Sequence, residues 1–316
     1  MASPAKTGRP DRGRSAGACA ACGAELPALP AIVGADLLHG TPGEFRVHVC
    51  PACGAGNTRP EAGAGELQGL YPRGYGPHAS EGPLGGRLGR ALLGREARVG
   101  AAGALGDPSL GPLLDVGCGD GELGELMAGR GWAVRGIEPS APAAERARRR
   151  GLDVAEGTLE TSPPEPGAFG AVLFNHSLEH IPEPVRALEA ARRALRPGGR
   201  VAVSVPNFGC WARRRFGRDW FHLDLPRHRV HFTEGGLRAA LARAGLHVVR
   251  TWTTTSPSGL LGSVQYRRLG GLAVEEGEGR RALGQVAGLA MIPGARIEQA
   301  LGGGRDFLHA LAADLG

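Results

Sequence analysis

The stretch Leu113-Leu-Asp-Val-Gly-Cys-Gly-Asp-Gly-Glu-Leu-Gly124 decides the fold of this chain. A short apolar run ends at Asp115, and glycines follow at positions 117, 119 and 121 before a helical pattern begins. The next apolar run ends in an acid, Glu138, twenty-one residues after Gly117. A strand, a glycine turn, a helix and a second strand that ends in an acid are typical of a nucleotide-binding site. The glycines let backbone N–H groups approach a ligand because no Cβ intervenes, and Glu138 can accept hydrogen bonds from two ribose hydroxyls.

The spacing of the glycines distinguishes this loop from a dinucleotide fingerprint. That fingerprint reads Gly-x-Gly-x-x-Gly and places a pyrophosphate at a helix N-terminus. This loop reads Asp-x-Gly-x-Gly-x-Gly and has Asp120 inside the turn, where a further negative charge repels a pyrophosphate but suits a cationic ligand. A glycine-rich loop is weak evidence alone in a chain with 54 glycines, and the acid at the correct offset strengthens it.

Short apolar runs alternate with helical patterns through the middle of the chain. They predict an α/β fold with a doubly wound, mostly parallel, seven-stranded Rossmann-like sheet, whose ligand binds beyond the carboxyl ends of the strands. The predicted strands cover residues 113–116, 133–137, 152–155, 171–174, 200–205 and 246–252, and the predicted helices cover residues 122–130, 141–150, 185–195 and 235–244. The segment 306–311 is either a last, antiparallel strand beside the sixth one or a terminal helix.

Four of the six cysteines form two Cys-x-x-Cys-Gly turns, which are Cys19 with Cys22 and Cys50 with Cys53. Each turn directs two thiolates at one point, and two such turns give the tetrahedral set of four sulfur ligands that Zn²⁺ favours. A disulfide pair or reactive thiols are the alternatives, and both are poor choices for a chain without a secretory signal. We therefore predict a structural zinc ion. A closed site of four thiolates has no open position for catalysis.

The net positive charge of the chain is compatible with nucleic-acid binding, but the kind and position of its basic residues argue against that function. The formal net charge is +6, but Lys6 is the only lysine, and Arg46 is the only basic side chain besides histidine between Cys22 and Cys53. We therefore favour no nucleic acid as a partner. No apolar run reaches the roughly 18 residues that span a bilayer, and the polar N-terminus lacks the apolar core of a secretory signal. A cytoplasmic location is expected.

Further motifs make the chain similar to a known family. It resembles the class I S-adenosylmethionine (SAM) methyltransferases with an N-terminal zinc ribbon, of the bacterial sugar, polysaccharide and natural-product type, which are related to the ubiquinone-biosynthesis O-methyltransferases. The resemblance covers about residues 19–252. It rests on the glycine loop and on Val49-Cys-Pro-Ala-Cys-Gly54, Leu70-Tyr-Pro-Arg-Gly-Tyr75, Phe174-Asn-His-Ser-Leu-Glu-His-Ile-Pro182, Leu195-Arg-Pro-Gly-Gly-Arg200 and Leu225-Pro-Arg-His-Arg-Val-His-Phe-Thr233.

Composition and pattern along the chain predict five regions. These are a disordered tail (1–18), a zinc ribbon (19–60), a connector with a helical segment (61–112), a SAM-binding methyltransferase domain (113–252), and a C-terminal helical insertion with a possible last strand (253–316). The resemblance implies SAM as the methyl donor, structural Zn²⁺, and transfer to an oxygen or carbon atom of a small-molecule or saccharide-type acceptor. The chain lacks an Asn-Pro-Pro-Tyr motif after the fourth predicted strand, which favours oxygen or carbon over nitrogen as the accepting atom.

The resemblance also implies roles for individual residues around SAM. Asp115 neutralises the ammonium of the methionine part, and Glu138 holds the ribose diol. The same methionine part is bordered by the backbone of Gly117, Cys118, Gly119 and Gly121, the adenine is held near Thr158 and Leu159, and the sulfonium methyl lies beside Asn175 and His176.

One departure from the related quinone enzymes concerns a metal. Those enzymes carry a Glu-x-x-Glu-His metal site after the fourth strand, and the matching residues here are His176, Glu179 and His180. Because Mg²⁺ prefers oxygen ligands, two imidazoles match it poorly, and no catalytic metal is predicted.

Three histidines are candidates for a general base: His180 after the fourth strand, and His228 and His231 on the loop before the 235–244 helix, which is expected to face the substrate. Histidine titrates near neutrality and can take a proton from a hydroxyl. Each of them has a structural alternative, as a packing or capping residue or as a hydrogen-bond partner. The arginine-rich and aromatic segment 211–221 is either a substrate lid or a loop whose aromatic rings pack into the core.

Two other functions stay open at this point. One is an RNA methyltransferase that grips RNA through a zinc finger, which the scarcity of lysine and the weakly basic ribbon disfavour. The other is a non-catalytic SAM-fold scaffold whose ribbon docks a partner protein, which the intact Asp115–Gly121 loop and Glu138 disfavour.

Overall fold

The computed structural model describes residues 15–60, 94, 98–255, 257–271 and 305–314. Most of the predicted tail, most of the predicted connector and residues 272–304 of the predicted C-terminal insertion lie outside these residues. Among the described residues, every helix is too short or too polar to cross a membrane.

The N-terminal part is a small antiparallel sheet beside the two cysteine turns. Its strands are β1 (Ile32–Gly34), β2 (Phe45–Val49) and β3 (Gly56–Arg59). β2 is the central strand, and it pairs with both β1 and β3. Alternate residues of β2 point into an apolar cluster, as half-buried antiparallel strands require.

The central part alternates between strand and helix. The strands are β4 (Leu113–Val116), β5 (Val134–Glu138), β6 (Asp153–Glu156), β7 (Phe169–Asn175) and β8 (Leu195–Pro206). The helices are α1 (Ala101–Ala104), α2 (Glu122–Ala128), α3 (Ala141–Arg149) and α4 (Pro184–Ala194). All five strands run parallel. β4 and most of β7 are buried, which explains why they are nearly continuous apolar runs.

The last part of the described chain closes the large sheet. It contains α5 (Trp211–Phe216), β9 (Val230–His231), α6 (Glu234–Arg243), β10 (His247–Thr254), α7 (Pro257–Leu269) and β11 (Phe307–Ala313). The seven strands have the order β10-β11-β8-β7-β4-β5-β6, which confirms the predicted doubly wound, mostly parallel sheet. β11 lies between β8 and β10 and is antiparallel to both. Of the two alternatives for residues 306–311, the structure has the strand.

One short strand corrects the sequence prediction. β9 pairs with β3 and becomes the fourth strand of the small sheet. The prediction that His231 lies on a loop was therefore wrong, whereas His228 does precede the strand. The physical reason is that β3 is an edge strand of the three-stranded sheet, and residues 230–231 satisfy its open backbone groups. This pairing joins the small sheet to the segment between β8 and α6.

Phe216 and Trp220 of the 211–221 segment are buried, and its other two aromatic residues are half-buried. Phe208, Phe216 and Trp220 belong to one buried cluster with β2 and α7 residues, while the guanidinium of Arg213 stacks 4.1 Å above the Phe208 ring. This arrangement matches the predicted alternative in which the aromatics pack into the core.

Candidate functional site

The loop after β4 has a backbone that only glycine fits at its first position. Gly117, Gly119 and Gly121 have φ angles of 71°, 58° and 82°, which lie in the left-handed region. A Cβ on Gly117 would lie 2.6 Å from the Cβ of Ser177. The N–H groups of Gly117 and Cys118 both donate to the carbonyl of Ile137, at 2.8 and 3.2 Å. The loop therefore wraps closely against the ends of β5 and β7.

Glu138, the last residue of β5, connects this loop to the next turn. Its Oε2 accepts a hydrogen bond from the N–H of Gly119 at 2.9 Å, and its Oε1 accepts one from the N–H of Ser140 at 2.8 Å. Burial raises the pKa of Glu138 even though both hydrogen bonds lower it. The side chain is thus fixed in orientation, and each carboxylate oxygen retains a lone pair for a ligand hydroxyl.

Asp115 lies next to Glu138 on the adjacent strand β4, and its side chain is buried. Burial, followed by the nearby charge of Glu138, raises the pKa of Asp115 to about 7. A cationic group placed beside these two carboxylates would favour their ionised forms. We call Asp115, Gly117–Gly121 and Glu138 the glycine-loop site.

The flank of the glycine-loop site is formed by the turn after β6. Leu159 is buried in the main hydrophobic cluster, whereas Thr158 is exposed. The N–H of Thr158 donates to the hydroxyl of Thr161 at 2.8 Å, which fixes the turn. Cys118 lies across from Gly136 of β5, where a Cβ would come within 2.6 Å of its Sγ. These contacts leave an apolar side chain and backbone groups beside the carboxyl end of β6.

The other flank follows β7. Asn175 is the last residue of the strand, and His176 adopts the left-handed conformation with φ of 54°. Such a conformation is costly for a residue other than glycine and persists where the surroundings impose it. The N–H of His176 donates to the carbonyl of Ser204 at 2.9 Å, and its ring packs 4.5 Å from the ring of Phe307. The imidazole is thus packed against the first residue of β11.

Beyond His176, side chains from two distant segments meet in what we call the histidine cluster, defined as His176, Glu179, His180, Asp224 and His228. His228 Nε2 lies 4.0 Å from Glu179 Oε1 and 3.7 Å from Asp224 Oδ2. His176 Nδ1 lies 3.7 Å from the same Glu179 oxygen. The rings of His180 and His228 are in edge contact, with centroids 4.6 Å apart.

Two backbone carbonyls orient the imidazoles of this cluster. His180 Nδ1 lies 3.2 Å from the carbonyl of Arg227, and His228 Nδ1 lies 2.9 Å from the carbonyl of His222. A carbonyl can only accept, so the neutral form of either ring carries its hydrogen on Nδ1. In that form, the Nε2 atom is left as a proton acceptor.

The electrostatics of the histidine cluster hold its carboxylates ionised. Burial alone raises the pKa of Glu179, but the neighbouring histidines His176, His180 and His228 outweigh it, so the pKa lies below its usual value. Neither oxygen of Glu179 has a hydrogen-bond partner among the described residues. Burial and the charge of His228 lower the pKa of His180 to about 4. A neutral imidazole and an ionised Glu179 therefore coexist at neutral pH.

Within the part of the chain that the structure describes, two groups of side chains have ligand atoms close enough for a metal ion. The four predicted thiols Cys19, Cys22, Cys50 and Cys53 form one, with Sγ atoms within 4.8 Å of one another, and this donor set fits Zn²⁺. Glu179, His180 and His228 form the other. Its two imidazoles and single carboxylate match Mg²⁺ poorly, because that ion prefers oxygen ligands.

The third predicted base, His231, packs at the edge of the histidine cluster, with its ring centroid 6.3 Å from that of His228. Its ring is buried, its Nε2 lies 2.9 Å from the hydroxyl of Thr58, and it packs 5.2 Å from the ring of Phe208. Sequence analysis missed Asp224 and Phe307 as neighbours of the site. Asp224 stands four residues before His228 in the stretch Leu223-Asp-Leu-Pro-Arg-His228, and this closeness in the chain was a usable signal.

A family model described as a methyltransferase domain matches residues 91–251 of the chain. The chain is 31% identical over 147 residues to a ubiquinone biosynthesis O-methyltransferase from Xanthomonas oryzae pv. oryzae, a match that covers 44% of this chain and 59% of that protein. It is 38% identical over 119 residues to the enzyme of the same name from Pseudomonas paraeruginosa, covering 35% and 48%. The match thus spans 48–59% of the length of these two relatives.

Two solved structures align with a larger share of the chain at lower identity. A SAM-dependent methyltransferase from Thermotoga maritima aligns with a TM-score of 0.49 and 21% identity, over 78% of this chain and 99% of its own. A geranyl diphosphate C-methyltransferase from Streptomyces coelicolor aligns with a TM-score of 0.49 and 19% identity, over 76% of this chain and 86% of its own.

Proposed function

Because this chain belongs to the methyltransferase-domain family and is a SAM-dependent methyltransferase, we propose that it methylates an oxygen or carbon atom of a small, hydroxyl-bearing acceptor. A saccharide-type molecule is the preferred class, because the sequence resembles the methyltransferases of sugar and polysaccharide biosynthesis. The names of the two matched relatives, both O-methyltransferases, support oxygen as the accepting atom.

The main support for this proposal is that one residue, Ser177, connects the glycine-loop site to the histidine cluster. Ser177 directly follows His176, and its hydroxyl donates to the carbonyl of Val116 at 2.6 Å, at the base of the glycine loop. A ligand seated on that loop therefore lies next to imidazole and carboxylate groups. This neighbourhood suits the removal of a proton from a hydroxyl.

On the donor side, we assign the methionine part of SAM to the backbone of Gly117, Cys118, Gly119 and Gly121. Asp115 neutralises its ammonium group, and the raised pKa of this carboxyl reflects a buried charge that a cation would stabilise. Glu138 takes the ribose hydroxyls with the lone pairs that its two backbone bonds leave available. Thr158 and Leu159 border the adenine, and Asn175 and His176 border the methyl group.

The reaction is an in-line displacement. SAM, when bound, supplies a methyl group on a positively charged sulfur. The acceptor oxygen or carbon forms a bond to that carbon as the carbon–sulfur bond breaks, and the bonding electrons stay on the sulfur of the product S-adenosylhomocysteine. The chain itself aligns the two partners and excludes water.

We assign the proton of the acceptor to Nε2 of His228. Its Nδ1–H is held by the carbonyl of His222, and the resulting imidazolium would lie between Glu179 and Asp224. His180 is the second candidate because its neutral ring is in contact with that of His228. His231 is assigned a structural role, since its Nε2 is engaged with Thr58.

Labelled SAM incubated with fractionated small-molecule and saccharide pools tests the proposal. The wild-type chain should label a hydroxyl-bearing acceptor, and His228→Asn should lower the rate by ~10²–10⁴-fold, the usual contribution of a general base. His247→Asn is the matched control, since His247 is exposed at the start of β10. Affinity for SAM, measured by calorimetry, should be unchanged in both variants.

Two outcomes would replace this function with another. Labelling of an RNA pool with a steep salt dependence would favour the RNA methyltransferase. An absence of SAM binding by the zinc-loaded protein would favour the scaffold.

A further inference from the structure

The segment that carries His228 is attached to the N-terminal sheet by a fully buried ion pair. The guanidinium of Arg227 donates two hydrogen bonds to Asp36, NH1 to Oδ2 at 2.8 Å and NH2 to Oδ1 at 2.7 Å. Both side chains have no exposed surface, and the two residues are 191 positions apart in the chain. Such two-pronged arginine–carboxylate pairs fix orientation as well as distance.

Asp36 is itself rigidly placed. It follows β1, and its carboxylate accepts hydrogen bonds from the N–H groups of Leu38 and His39 at 3.0 Å and of Thr41 at 3.1 Å. Burial alone raises the pKa of Asp36, but the bonds from Arg227 and from this turn bring it well below its usual range. The turn therefore presents a fixed negative charge to Arg227.

Arg227 contacts two members of the histidine cluster, His180 and Asp224, and Asp224 in turn contacts His228. Its carbonyl lies 3.2 Å from Nδ1 of His180. Its guanidinium also donates to Asp224 Oδ1, at 2.9 Å from Nε and 2.6 Å from NH2, and the other oxygen of Asp224 faces His228. The backbone N–H of His228 donates to the carbonyl of Asp224 at 3.0 Å.

A second contact from the N-terminal sheet holds the same segment. The hydroxyl of Thr58 in β3 donates to the carbonyl of His228 at 2.7 Å, and the N–H of Thr58 donates to the carbonyl of Arg229 at 3.0 Å. The N–H of Arg229 in turn donates to the carbonyl of Glu179 at 2.8 Å. The residues on either side of His228 are thus attached to a sheet that contains no member of the histidine cluster.

We propose that Asp36 is a positioning residue for methyl transfer, which holds His180 and His228 in their working orientation through Arg227, with Thr58 as a second support. This inference rests on the proposed function for its kinetic consequence, whereas the orientation of the two imidazoles can be measured without turnover. The Asp36 side chain has no exposed surface, so it acts through the segment 224–229.

The first test measures the imidazoles directly. Long-range ¹H–¹⁵N spectra of the full, zinc-loaded chain report which ring nitrogen carries hydrogen, and His180→Gln and His228→Gln assign the signals. Asp36→Asn should shift the signals of both rings. The zinc content and the calorimetric affinity for SAM should each stay within about twofold of wild type, and for the affinity this is less than the tenfold change that corresponds to 1.4 kcal/mol. Asp153→Asn, an exposed aspartate of β6, is the control. Unchanged ring signals in folded Asp36→Asn would overturn the proposal.

The second test separates positioning from general stability through kcat, with the acceptor found by the labelled-SAM experiment. Asp36→Asn should lower kcat by ~10–100-fold, as expected when a catalytic group is displaced by about 1 Å. In the His228→Gln background the same change should cost less than about twofold, because residues that act as a unit are not additive. Equal losses in the two backgrounds would show a merely structural residue and overturn the proposal.

Thr58 keeps the proposal testable if Asp36→Asn does not fold. Thr58→Val removes the hydroxyl that holds the His228 carbonyl, whereas Thr58→Ser keeps it. Thr58→Val should shift the His228 signals and lower kcat, and Thr58→Ser should restore both. Equal behaviour of the two variants would overturn the proposal. A chain that binds SAM but methylates nothing refutes the proposed function, and the ring signals still decide the role of Asp36.

Discussion

The glycine-loop site takes its polar groups from the ends of two neighbouring parallel strands, whereas the histidine cluster takes its side chains from segments that are far apart in the chain. In the first, Asp115 and Glu138 are brought together by the register of β4 and β5 alone. In the second, the segment 224–229 is held against Glu179 and His180 both by direct contacts with them and by the N-terminal sheet. We therefore expect binding of the donor and chemistry on the acceptor to depend on different parts of the fold and to be damaged by different substitutions.

The largest separation is expected from removal of the predicted zinc ion. Cys19→Ser combined with Cys50→Ser should reduce zinc from about one per chain to none and unfold the small sheet, since such sites contribute ~10–16 kcal/mol to folding. Turnover should then be lost, because Asp36 and Thr58 no longer hold the segment 224–229. The affinity for SAM should stay within about threefold of wild type, which is less than the tenfold change that corresponds to 1.4 kcal/mol.

Elemental analysis and calorimetry measure the two effects. Cys210→Ser is the control, because Cys210 is buried outside the four-thiol group and should leave zinc and turnover in place. If SAM affinity falls as steeply as turnover, the two sites are not separable in the way described.

The opposite separation is expected from Gly117→Val. The added Cβ meets Ser177 at 2.6 Å in a backbone conformation that valine disfavours, so the loop must move. We expect SAM affinity to fall by about 100-fold, that is ~3 kcal/mol, with the zinc content unchanged. Gly151→Ala has the same left-handed strain with open space around it and should leave SAM affinity unaltered. A normal affinity in Gly117→Val would place the methionine part elsewhere.

A smaller effect with a distinct pH dependence is expected from Asp115→Asn. The pKa of Asp115 is about 7 without ligand, and a cationic ligand binds its ionised form, so wild-type affinity for SAM should rise with pH up to about 7. Asp115→Asn should lower the affinity at pH 8 by about tenfold, which is 1.4 kcal/mol, and should remove this dependence. Calorimetry from pH 5.5 to 8 measures both.

The same carboxyl affects the stability of the ligand-free chain. Because its folded-state pKa is raised, its contribution to the free energy of unfolding is greatest below the unfolded pKa of ~3.9 and is lost as pH rises through about 7. Asp115→Asn should therefore reduce the fall in thermal stability between pH 5 and 8. A fall identical to wild type would indicate that Asp115 is ionised without a ligand.

The smallest effect is expected from His231→Gln. The variant loses a ring that packs on Phe208 and bonds to Thr58, which should cost ~1–2 kcal/mol and lower the melting temperature by about 2–4 °C. Since this ring lies outside the histidine cluster, kcat should stay within about threefold, under 1 kcal/mol in barrier height. A loss of kcat as large as that of His228→Asn would make His231 the base. Thermal melts and labelled-SAM kinetics measure the two quantities.

The sequence predicted the parts of the molecule that depend on local order. The glycine loop, Glu138 and the central strands follow from chain spacing, because neighbouring parallel strands end at one edge. The link between Asp36 and Arg227 has no signal in a single sequence, since a buried pair 191 positions apart leaves no periodic trace. His231 was assigned to a loop because nothing near it predicts that two residues would complete a distant sheet. For residues 306–311 the sequence left two alternatives, a strand or a helix, because pairing with β8 and β10 has no signal in the local sequence.

The position of β11 has a consequence for biosynthesis. β11 lies between β8 and β10. The edges of these two strands that pair with β11 therefore stay open until residues 307–313 leave the ribosome. Open strand edges pair readily with other chains, and long-range pairings form slowly. The nascent protein therefore passes through a stage in which an apolar strand edge is accessible, when chaperone binding or aggregation competes with completion of the sheet. Translation that stops before residue 307 would leave the chain in that state.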